Sequence, residues 1–160
     1  MANFFQDVIK NDQRFTSTKC ISDVALLEPT FRGHVQAIIA DAAAHGVTLI
    51  AFETYRSNER QEQLFNQGAS KLKTVGVHHY GLACDLVRLA GGEPSWKGDF
   101  GIVGQLAKAH GLIWGGDWGA PAEKHTFVDP YHVQRCSLSD QAKLFREEWY
   151  PPDDYVAYNP

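Results

Sequence analysis

The sequence lacks the cysteine pattern of a disulfide-stabilised protein. It has three cysteines, an odd number, and no two of them are spaced as Cys-x-x-Cys, so a framework of disulfides is not expected. Cys20, Cys84 and Cys136 are predicted to be reduced thiols with structural roles, and Cys84 lies in an apolar run where a small side chain suits a core. A metal-ligating cysteine is the alternative that the sequence leaves open.

Long apolar segments and runs of basic residues are missing as well. No segment approaches the roughly 20 apolar residues of a membrane-spanning helix, and residues 1–7 show neither the basic nor the apolar part of a signal peptide. We therefore expect a protein without a membrane span, made and held in the cytoplasm unless another factor releases it. The net charge is −4 and the basic residues are dispersed, which argues against a nucleic-acid partner because phosphate neutralisation favours a basic face.

The composition that is present is that of an ordinary globular protein. Hydrophobic residues make up 44% of the 160 residues and charged residues 21%, which is enough for one domain with a hydrophobic core. We predict a single domain over residues 1–160, with its core at about 25–150. The tail at 151–160 is expected to lie on the surface or to fray.

Apolar spacing indicates a mixture of helices and short strands. The longest early helix is well marked, because Pro29 suits its first turn and Gly46 its end. Asn58 is expected to cap the next helix, with Gln61 as its capping-box partner and with Leu64 and Phe65 facing inward. The mixture predicts an α+β fold with a small, mostly antiparallel sheet and flanking helices. Helices are predicted over 3–9, 29–46, 58–66, 99–110 and 137–149, strands over 47–53, 82–89, 112–114 and 131–134, and a loop over 69–76.

The first candidate site lies in residues 77–85, which read His-x-x-Gly-x-Ala-x-Asp from His78. A turn at Gly81 would reverse the chain and bring His78 beside the strand that carries Asp85. A carboxylate in so apolar a strand is costly unless it is paired or binds a metal. Imidazole and carboxylate are both ligands that Zn²⁺ accepts. The alternative is a buried Asp85 bonded to backbone amides or to an arginine.

A further ligand is available in the Asp-x-x-His pattern formed by Asp129 and His132. If His132 binds the metal, Asp129 can lie beside the metal without binding it. Such a carboxylate can act as the general base for a water that the metal activates. The alternative is that Asp129 is a turn residue ahead of Pro130.

Hydrolysis at such a centre also needs a positive group for the negative charge that develops. Arg56 follows the first buried strand, where its side chain can point into a cleft and stabilise that charge or bind a substrate carboxylate. The alternative is a surface arginine paired with Glu59 or Glu62.

The remaining histidines carry weaker signals. His79 is the alternative metal ligand in place of His78, and both His79 and His125 lie close enough to the motifs to support the site or to contact a substrate. The others are expected at the polar side or the ends of helices, without a role in a site: His34, His45 and His110.

Together these motifs resemble the zinc peptidases of the D-Ala-D-Ala carboxypeptidase type, the group related to VanX and VanY. They are closest to its phage endolysin branch, the L-alanyl-D-glutamate peptidases. The motifs occupy roughly residues 50–135 in the family's order, and they are specific in combination although each is weak alone. The matching segments are Tyr55-Arg56-Ser57, His78-x-x-Gly81-x-Ala83-x-Asp85, Trp114-Gly115-Gly116-Asp117-Trp118 and Phe127-x-Asp129-x-x-His132.

The chain departs from the family pattern near both histidine motifs. Gly76 stands where serine is common, and Tyr131 and Val133 stand where proline and phenylalanine are common. These departures bear on substrate fit more than on metal binding. The VanX-like dipeptidases usually carry glutamate at the position of Asp129, so aspartate there favours the endolysin branch.

The resemblance implies a zinc fold of the hedgehog and D-Ala-D-Ala-peptidase kind, with one Zn²⁺ held by His78, Asp85 and His132. Asp129 would then be the general base, and Arg56 the electrophilic or carboxylate-binding group. The residues implied in substrate binding are Ser57, Trp114, Asp117, Trp118 and Tyr131.

The activity implied is hydrolysis of bacterial peptidoglycan stem peptides at the L-Ala–D-Glu bond. The protein would be a monomeric phage endolysin that causes host lysis once a separate, holin-type pore-former lets it out. One alternative is a D-Ala-D-Ala dipeptidase or carboxypeptidase. Another is a non-catalytic, zinc-containing module that binds the cell wall, although such a binder would have no need of an unliganded base.

Overall fold

The computed structural model describes residues 3–68, 76–119 and 128–159, and these form helices around one antiparallel sheet. Short helical turns of the 3-10 or π type connect several of the elements. The predicted loop over 69–76 falls outside the described residues except for Gly76. The helices are α1 (Pro29–Ala44), α2 (Asn58–Asn66), α3 (Gly101–Ala109) and α4 (Gln141–Phe145), and the strands are β1 (Leu49–Glu53), β2 (Ala83–Ala90), β3 (Glu93–Ser95), β4 (Ile113–Trp114) and β5 (His132–Gln134).

The sheet has the order β1-β2-β5-β4, with β3 paired to the far end of β2. All of its strand pairs are antiparallel, so the predicted α+β fold is confirmed. In this register Asp85 on β2 lies opposite Glu53 on one side and opposite His132 on the other. Residues that are far apart in the sequence are therefore brought to one point in the middle of the sheet.

Helix α1 follows from its local sequence. The Glu28 side chain accepts hydrogen bonds from the backbone N–H groups of Thr30 and Phe31, and Pro29 occupies the first turn, where its missing N–H is not needed. The apolar stripe of α1 packs against α3 and one face of the sheet. The buried residues that form this core are Leu27, Phe31, Val35, Ile38, Ala42, Leu49, Cys84, Leu86, Phe100, Val103, Ala107, Leu112 and Val133.

A second core joins the N-terminal segment to the last helix. It is rich in aromatic rings, and it surrounds the segment that precedes β2. All three cysteines are free thiols, as predicted. Within residues 3–68, 76–119 and 128–159, no helix combines the length and hydrophobicity needed to cross a membrane. The buried residues of this second core are Phe5, Ile9, Ile21, Leu26, Tyr55, Val77, Tyr80, Leu82, Ala83, Cys136 and Leu144.

Helix α2 has the predicted bounds but not the predicted cap. Ser57, one residue before Asn58, accepts the hydrogen bond from the backbone N–H of Arg60. The inward-facing residue is Gln61, whereas Phe65 is exposed, so the prediction that Phe65 faces inward is wrong. The cause is the buried acid and arginine pairs beside α2, which give a polar glutamine side chain partners in the interior.

The last helix is shorter than its apolar pattern predicts. Ser137 caps a 3-10 turn, Leu138–Asp140, that precedes the helix, whereas α4 itself begins at Gln141 and ends at Phe145 rather than at 149. Glu147 then adopts a positive φ of 57°. Strand β3 was not predicted, and Pro94 lies inside it. Proline is tolerated there because β3 lies at the edge of the sheet, where a missing N–H costs no ladder hydrogen bond.

The C-terminal tail lies on the surface and is bound there rather than frayed. The backbone N–H groups of Ala157 and Tyr158 donate to the Gly111 carbonyl oxygen over 3.1 and 2.9 Å. The buried Arg135 pairs with Glu28 at 3.1 Å and donates through Nη2 to the tail. The carbonyl oxygens that this guanidinium reaches are those of Pro152, Asp153 and Tyr155.

Candidate metal centre and active site

His78 lies in a 3-10 turn, Val77–Tyr80, that ends at Gly81 with a positive φ of 73°. Glycine is required there for a second reason, since a Cβ atom would come within 2.8 Å of the Leu26 carbonyl oxygen. The chain reverses at this point, as the sequence predicted. As a result, the imidazole of His78 lies beside the strand that carries Asp85.

His78, Asp85 and His132 converge on one point. Asp85 Oδ1 lies 3.4 Å from His78 Nε2 and 3.5 Å from His132 Nδ1. The two imidazole rings have centroids 5.1 Å apart and an interplanar angle of 71°. One ligand atom from each side chain lies within 4.8 Å of the others. Among the described residues, these three side chains form the group that could hold a metal ion.

The nitrogens that face away from this point are anchored. His78 Nδ1 lies 2.8 Å from the Thr54 carbonyl oxygen. A carbonyl oxygen can only accept, so Nδ1 carries the proton and Nε2 directs its lone pair toward Asp85. His132 Nε2 lies 2.7 Å from Gln134 Oε1. Hydrogen bonds of this kind orient the imidazole ligands of metal sites.

The three side chains fit a zinc ion on two observations. Asp85 Oδ1 is buried and has no hydrogen-bond partner among the described residues, which is costly for a carboxylate oxygen unless a cation binds it. Ligand atoms at 2.0–2.2 Å from one ion and at tetrahedral angles lie roughly 3.4 Å apart, close to the observed separations of 3.4 and 3.5 Å. Three protein ligands would leave the fourth position open, as in catalytic zinc sites.

The electrostatics of the centre favour a charged carboxylate. Burial alone would raise the pKa of Asp85, but the imidazoles of His78 and His132 hold that pKa well below its usual range. Burial would lower the pKa of His132, but the adjacent Asp85 carboxylate and the charge of Asp129 raise that pKa. The centre therefore contains an ionised carboxylate between two basic rings.

Asp129 lies beside these residues but outside the group that could hold the metal. Its backbone N–H donates to the Gly115 carbonyl oxygen over 3.0 Å, and its carbonyl oxygen accepts from the N–H of His132 over 3.2 Å. Gly115 is needed for this approach, since a Cβ atom would lie 2.3 Å from the Asp129 carbonyl oxygen. Burial, and secondarily the charge of Asp85, raises the pKa of the Asp129 carboxyl group. Asp129 is thus both a turn residue and a half-buried acid next to the centre.

Arg56 is bound on the carboxylate side of the centre. Its Nη2 lies 3.0 Å from Glu53 Oε1 and 3.4 Å from Asp85 Oδ2, and its Nη1 donates to Gln61 Oε1 over 3.1 Å. Its Nε is buried without a hydrogen-bond partner among the described residues. The guanidinium therefore neutralises the outer oxygen of Asp85.

Glu53 is a part of the site that the sequence reasoning missed. Arg56 was expected to pair with Glu59 or Glu62 if it did not face a cleft, but its partners are Glu53 and Asp85. Glu53 is buried at the end of β1 and also pairs with Arg60 at 3.0 Å. The signal was available, because an acid at the end of an apolar strand needs a partner for the same reason that Asp85 does.

Three of the residues predicted to bind substrate border one pocket of about 230 Å³: Trp114, Asp117 and Trp118. The Trp118 ring connects this pocket to the centre, since its centroid lies 5.0 Å from that of the His132 ring. Asp117 pairs with Lys108 at 2.8 Å and remains partly exposed. The Trp118 indole therefore lies between this pocket and the group of possible metal ligands.

Other side chains predicted to bind substrate are used inside the fold. The Ser57 hydroxyl accepts from Arg60 and donates to the Ser17 carbonyl oxygen, and the residue is only 1% exposed, so it is not available to a substrate. The Tyr131 hydroxyl donates to the Trp96 carbonyl oxygen over 3.0 Å.

Trp114 has a structural contribution in addition to its place at the pocket. Its indole N–H donates to the Pro130 carbonyl oxygen over 2.8 Å. Its ring occupies the space that Gly104 and Gly116 leave open, where a Cβ atom would approach ring atoms to 2.3 and 2.1 Å. Trp114 thus supports the turn that carries Asp129 rather than only forming a wall of a cleft.

His79 is turned away from the centre. It is buried, and its Nδ1 lies 3.3 Å from the Arg56 carbonyl oxygen. The structure therefore places His78, and not its neighbour, in the group of possible ligands. His125 and Phe127 lie outside the described residues. The aromatic rings that surround His79 are those of Phe5, Phe15, Tyr55 and Tyr80.

Comparisons of the sequence lead to the same group of proteins. Residues 70–135 match a family model described as D-alanyl-D-alanine carboxypeptidase. The peptidoglycan L-alanyl-D-glutamate endopeptidase CwlK of Bacillus subtilis is 31% identical over 111 residues, covering 58% of this chain and 66% of CwlK. The L-alanyl-D-glutamate peptidase of Listeria phage A118 is 29% identical over 121 residues, covering 73% of this chain and 41% of the phage protein. The chain thus spans about two thirds of one relative and under half of the other.

Solved structures share the fold. The L-Ala D-Glu endopeptidase ChiX of Serratia marcescens superimposes with a TM-score of 0.56 at 24% identity, over 75% of this chain and 87% of ChiX. The vancomycin resistance D,D-pentapeptidase VanY, solved in complex with Zn(II), superimposes with a TM-score of 0.51 at 16% identity, over 75% of this chain and 78% of VanY. The chain therefore has the fold of these peptidases, and over residues 70–135 it is similar to the D-alanyl-D-alanine carboxypeptidase family.

Proposed function

We propose that this protein is a zinc-dependent peptidase that cleaves the L-Ala–D-Glu bond in the stem peptides of bacterial peptidoglycan. The observation that carries the proposal is the convergence of His78 Nε2 and His132 Nδ1 on Asp85 Oδ1. This carboxylate oxygen is buried and has no hydrogen-bond partner among the described residues. These three residues would hold one Zn²⁺, which would act as a Lewis acid and lower the pKa of a bound water.

Asp129 is the proposed general base. It accepts the proton of the attacking water and later delivers it to the leaving amine. The raised pKa of its carboxyl group supports this role, because a base whose pKa lies closer to the working pH both accepts and returns a proton readily. Its position outside the ligand group leaves its oxygens available for this transfer.

Arg56 is the proposed group for the negative charge that develops on the substrate. Its guanidinium lies 3.4 Å from Asp85 Oδ2, so its charge acts within the centre without occupying a ligand position. A fixed positive charge in a site of low water content stabilises a developing oxyanion without reorganising. Asp117 and Trp118, on the pocket beside His132, are proposed to contact the stem peptide.

The choice of bond is supported by the names of the relatives, since both CwlK and the phage A118 protein are L-alanyl-D-glutamate peptidases. The phage relative also supports an endolysin role, in which the protein reaches the wall at host lysis. The family description, D-alanyl-D-alanine carboxypeptidase, supports the alternative that the enzyme removes a terminal D-Ala.

A digest of purified peptidoglycan separates these functions. With zinc present, mass spectrometry of the soluble products is expected to show new N-terminal D-Glu. Release of free D-Ala instead would establish the carboxypeptidase alternative. If the protein binds both zinc and the wall but the peptidoglycan stays intact, the protein would be a non-catalytic binding module.

The variant Asp129→Asn tests the base with little change in shape. We expect it to retain zinc and to lose activity by about 10²- to 10⁴-fold, the usual contribution of a general base. Full activity in this variant would remove Asp129 from the mechanism while leaving the metal centre in place.

A further inference from the structure

Gln134 is buried next to the proposed metal centre, and its side chain shares a face of the sheet with His132. The two residues are separated by one position on β5, and side chains at i and i+2 of a strand point the same way. Gln134 is 1% exposed. All of its polar side-chain atoms are hydrogen-bonded to protein groups, so it is not placed there to contact a substrate.

The orientation of the Gln134 amide is decided by a backbone group. Its Nε2 lies 2.6 Å from the carbonyl oxygen of Cys136 and 2.9 Å from Gln141 Oε1. The Cys136 oxygen can only accept, so the amide nitrogen of Gln134 must face it. The amide oxygen must then face His132, which it meets at 2.7 Å from Nε2.

From this geometry we infer that Gln134 is a positioning residue that holds His132 in the tautomer able to bind the metal. An amide oxygen only accepts, so the Nε2 atom of His132 must carry the ring proton. The Nδ1 atom is then left with a lone pair, and this is the atom 3.5 Å from Asp85 Oδ1. The other tautomer would place a proton where the cation belongs.

His78 and His132 reach the same result by different means. For His78 the acceptor is the Thr54 backbone carbonyl, which no side-chain substitution removes. For His132 it is a glutamine side chain, so this half of the centre can be altered by mutation. The inference rests on the proposed metal site, but the tautomer can be measured without any metal.

The first test is a nitrogen-detected NMR spectrum of metal-free protein labelled with ¹⁵N-histidine, recorded at alkaline pH. The His132 signals are identified by their absence in His132→Asn. We expect the pattern of a ring protonated at Nε2. A ring protonated at Nδ1 in the wild-type protein would overturn the inference, whatever the protein's zinc affinity.

The second test compares variants by zinc affinity in a competition with a chelator. Gln134→Leu removes the acceptor and is expected to weaken zinc binding by roughly 10- to 100-fold, the usual effect of losing a hydrogen bond to a metal-bound histidine. Gln134→Glu keeps an acceptor for His132, and as a buried neutral carboxyl group it can still donate to Cys136, so it is expected to retain both the tautomer and most of the affinity. Gln141→Leu removes the neighbouring amide but leaves Cys136 to orient Gln134, so its affinity should stay near the wild-type value.

These variants separate positioning from packing. Equal losses in Gln134→Leu and Gln134→Glu, with an unchanged tautomer in both, would show that Gln134 only fills space and would overturn the inference. Failure of the wild-type protein to bind zinc would instead contradict the proposed function. The tautomer seen in the metal-free wild-type spectrum decides the inference in that case too.

Discussion

The chain brings two histidines together in two different places, and the two pairs are built differently. In the proposed centre, His78 and His132 both direct a nitrogen toward Asp85 Oδ1, at 3.4 and 3.5 Å. On the outside of the molecule, His34 on α1 and His110 at the end of α3 face each other with their Nδ1 atoms 3.1 Å apart. The ring centroids are almost equally far apart in the two pairs, 5.1 and 5.2 Å, yet the second pair does not meet the requirements of a metal site.

The difference lies in what surrounds the rings. The two Nδ1 atoms of the outer pair satisfy each other, since one donates to the other. The nearby carboxylate of Asp41 lies 3.7 Å from the opposite nitrogen of His110, so it is not between the rings. In the inner pair a carboxylate lies between the rings and the outer nitrogens are anchored. Closeness of histidines is therefore a weaker sign of a metal site than the direction of their lone pairs.

The sharpest test of this comparison is removal of one ring from each pair. His78→Ala is expected to lower zinc affinity by more than the roughly 10- to 100-fold that loss of a supporting hydrogen bond costs, because it removes a ligand. His34→Ala is expected to leave the affinity unchanged. Isothermal titration with zinc measures both. Equal losses would mean that the outer pair also binds the ion, and loss only in His79→Ala would move the ligand by one residue.

A glycine lies near each histidine pair, and replacing it by alanine gives a second comparison in which smaller effects are expected. Gly115→Ala places a methyl group 2.3 Å from the Asp129 carbonyl oxygen, so the turn that carries Asp129 and His132 must shift. We expect it to lower the free energy of unfolding by about 1–3 kcal/mol and to weaken zinc binding. Gly33→Ala, beside His34 on α1, meets nothing within 4 Å and should stabilise the protein by about 0.5–1 kcal/mol.

Urea denaturation of the metal-free proteins measures the free energy of unfolding of both variants. Zinc titration measures the expected loss of zinc affinity in Gly115→Ala. A Gly115→Ala protein with wild-type stability and zinc affinity would show that the turn can move without disturbing the centre.

The inner site could be predicted in part from the sequence, because a polar residue inside an apolar segment indicates a buried group that needs a partner. Asp85 is the one acid in an apolar strand, and Gly81 marks the turn that returns His78 to it. The choice between His78 and His79 was not decided by pattern, since both residues lie in one short turn. It is decided by packing, because the aromatic residues of the N-terminal segment enclose His79.

The supporting residues were the least predictable part of the site. Glu53 and Gln134 are recruited by strand register, which pairs Glu53 with Asp85 and places β5 between β2 and β4. Register joins segments that are distant in sequence, so local patterns do not encode it. The same holds for the outer pair, where α1 and α3 must pack before His34 can meet His110.

The smallest expected effect is the loss of stability that the outer histidine pair causes at acidic pH. Burial, and then the neighbouring His110, lowers the pKa of His34 below the usual value. The unfolded chain, in which a histidine titrates near pH 6.5, therefore takes up a proton on His34 more readily than the folded protein does. This difference costs no stability at higher pH, and it destabilises the fold progressively as the pH falls below about 6.5.

His34→Gln removes this proton linkage, so its stability should fall less than that of the wild-type protein between neutral and mildly acidic pH. Urea midpoints measured across that range give the difference, and His45→Gln, at the exposed end of α1, serves as the control. Because the metal ligands are unchanged in both variants, the difference should persist with and without zinc. Parallel pH profiles for His34→Gln and the wild type would mean that protonation of this pair is matched in the folded and unfolded states, and the contrast between the two pairs would then rest on the direction of their lone pairs alone.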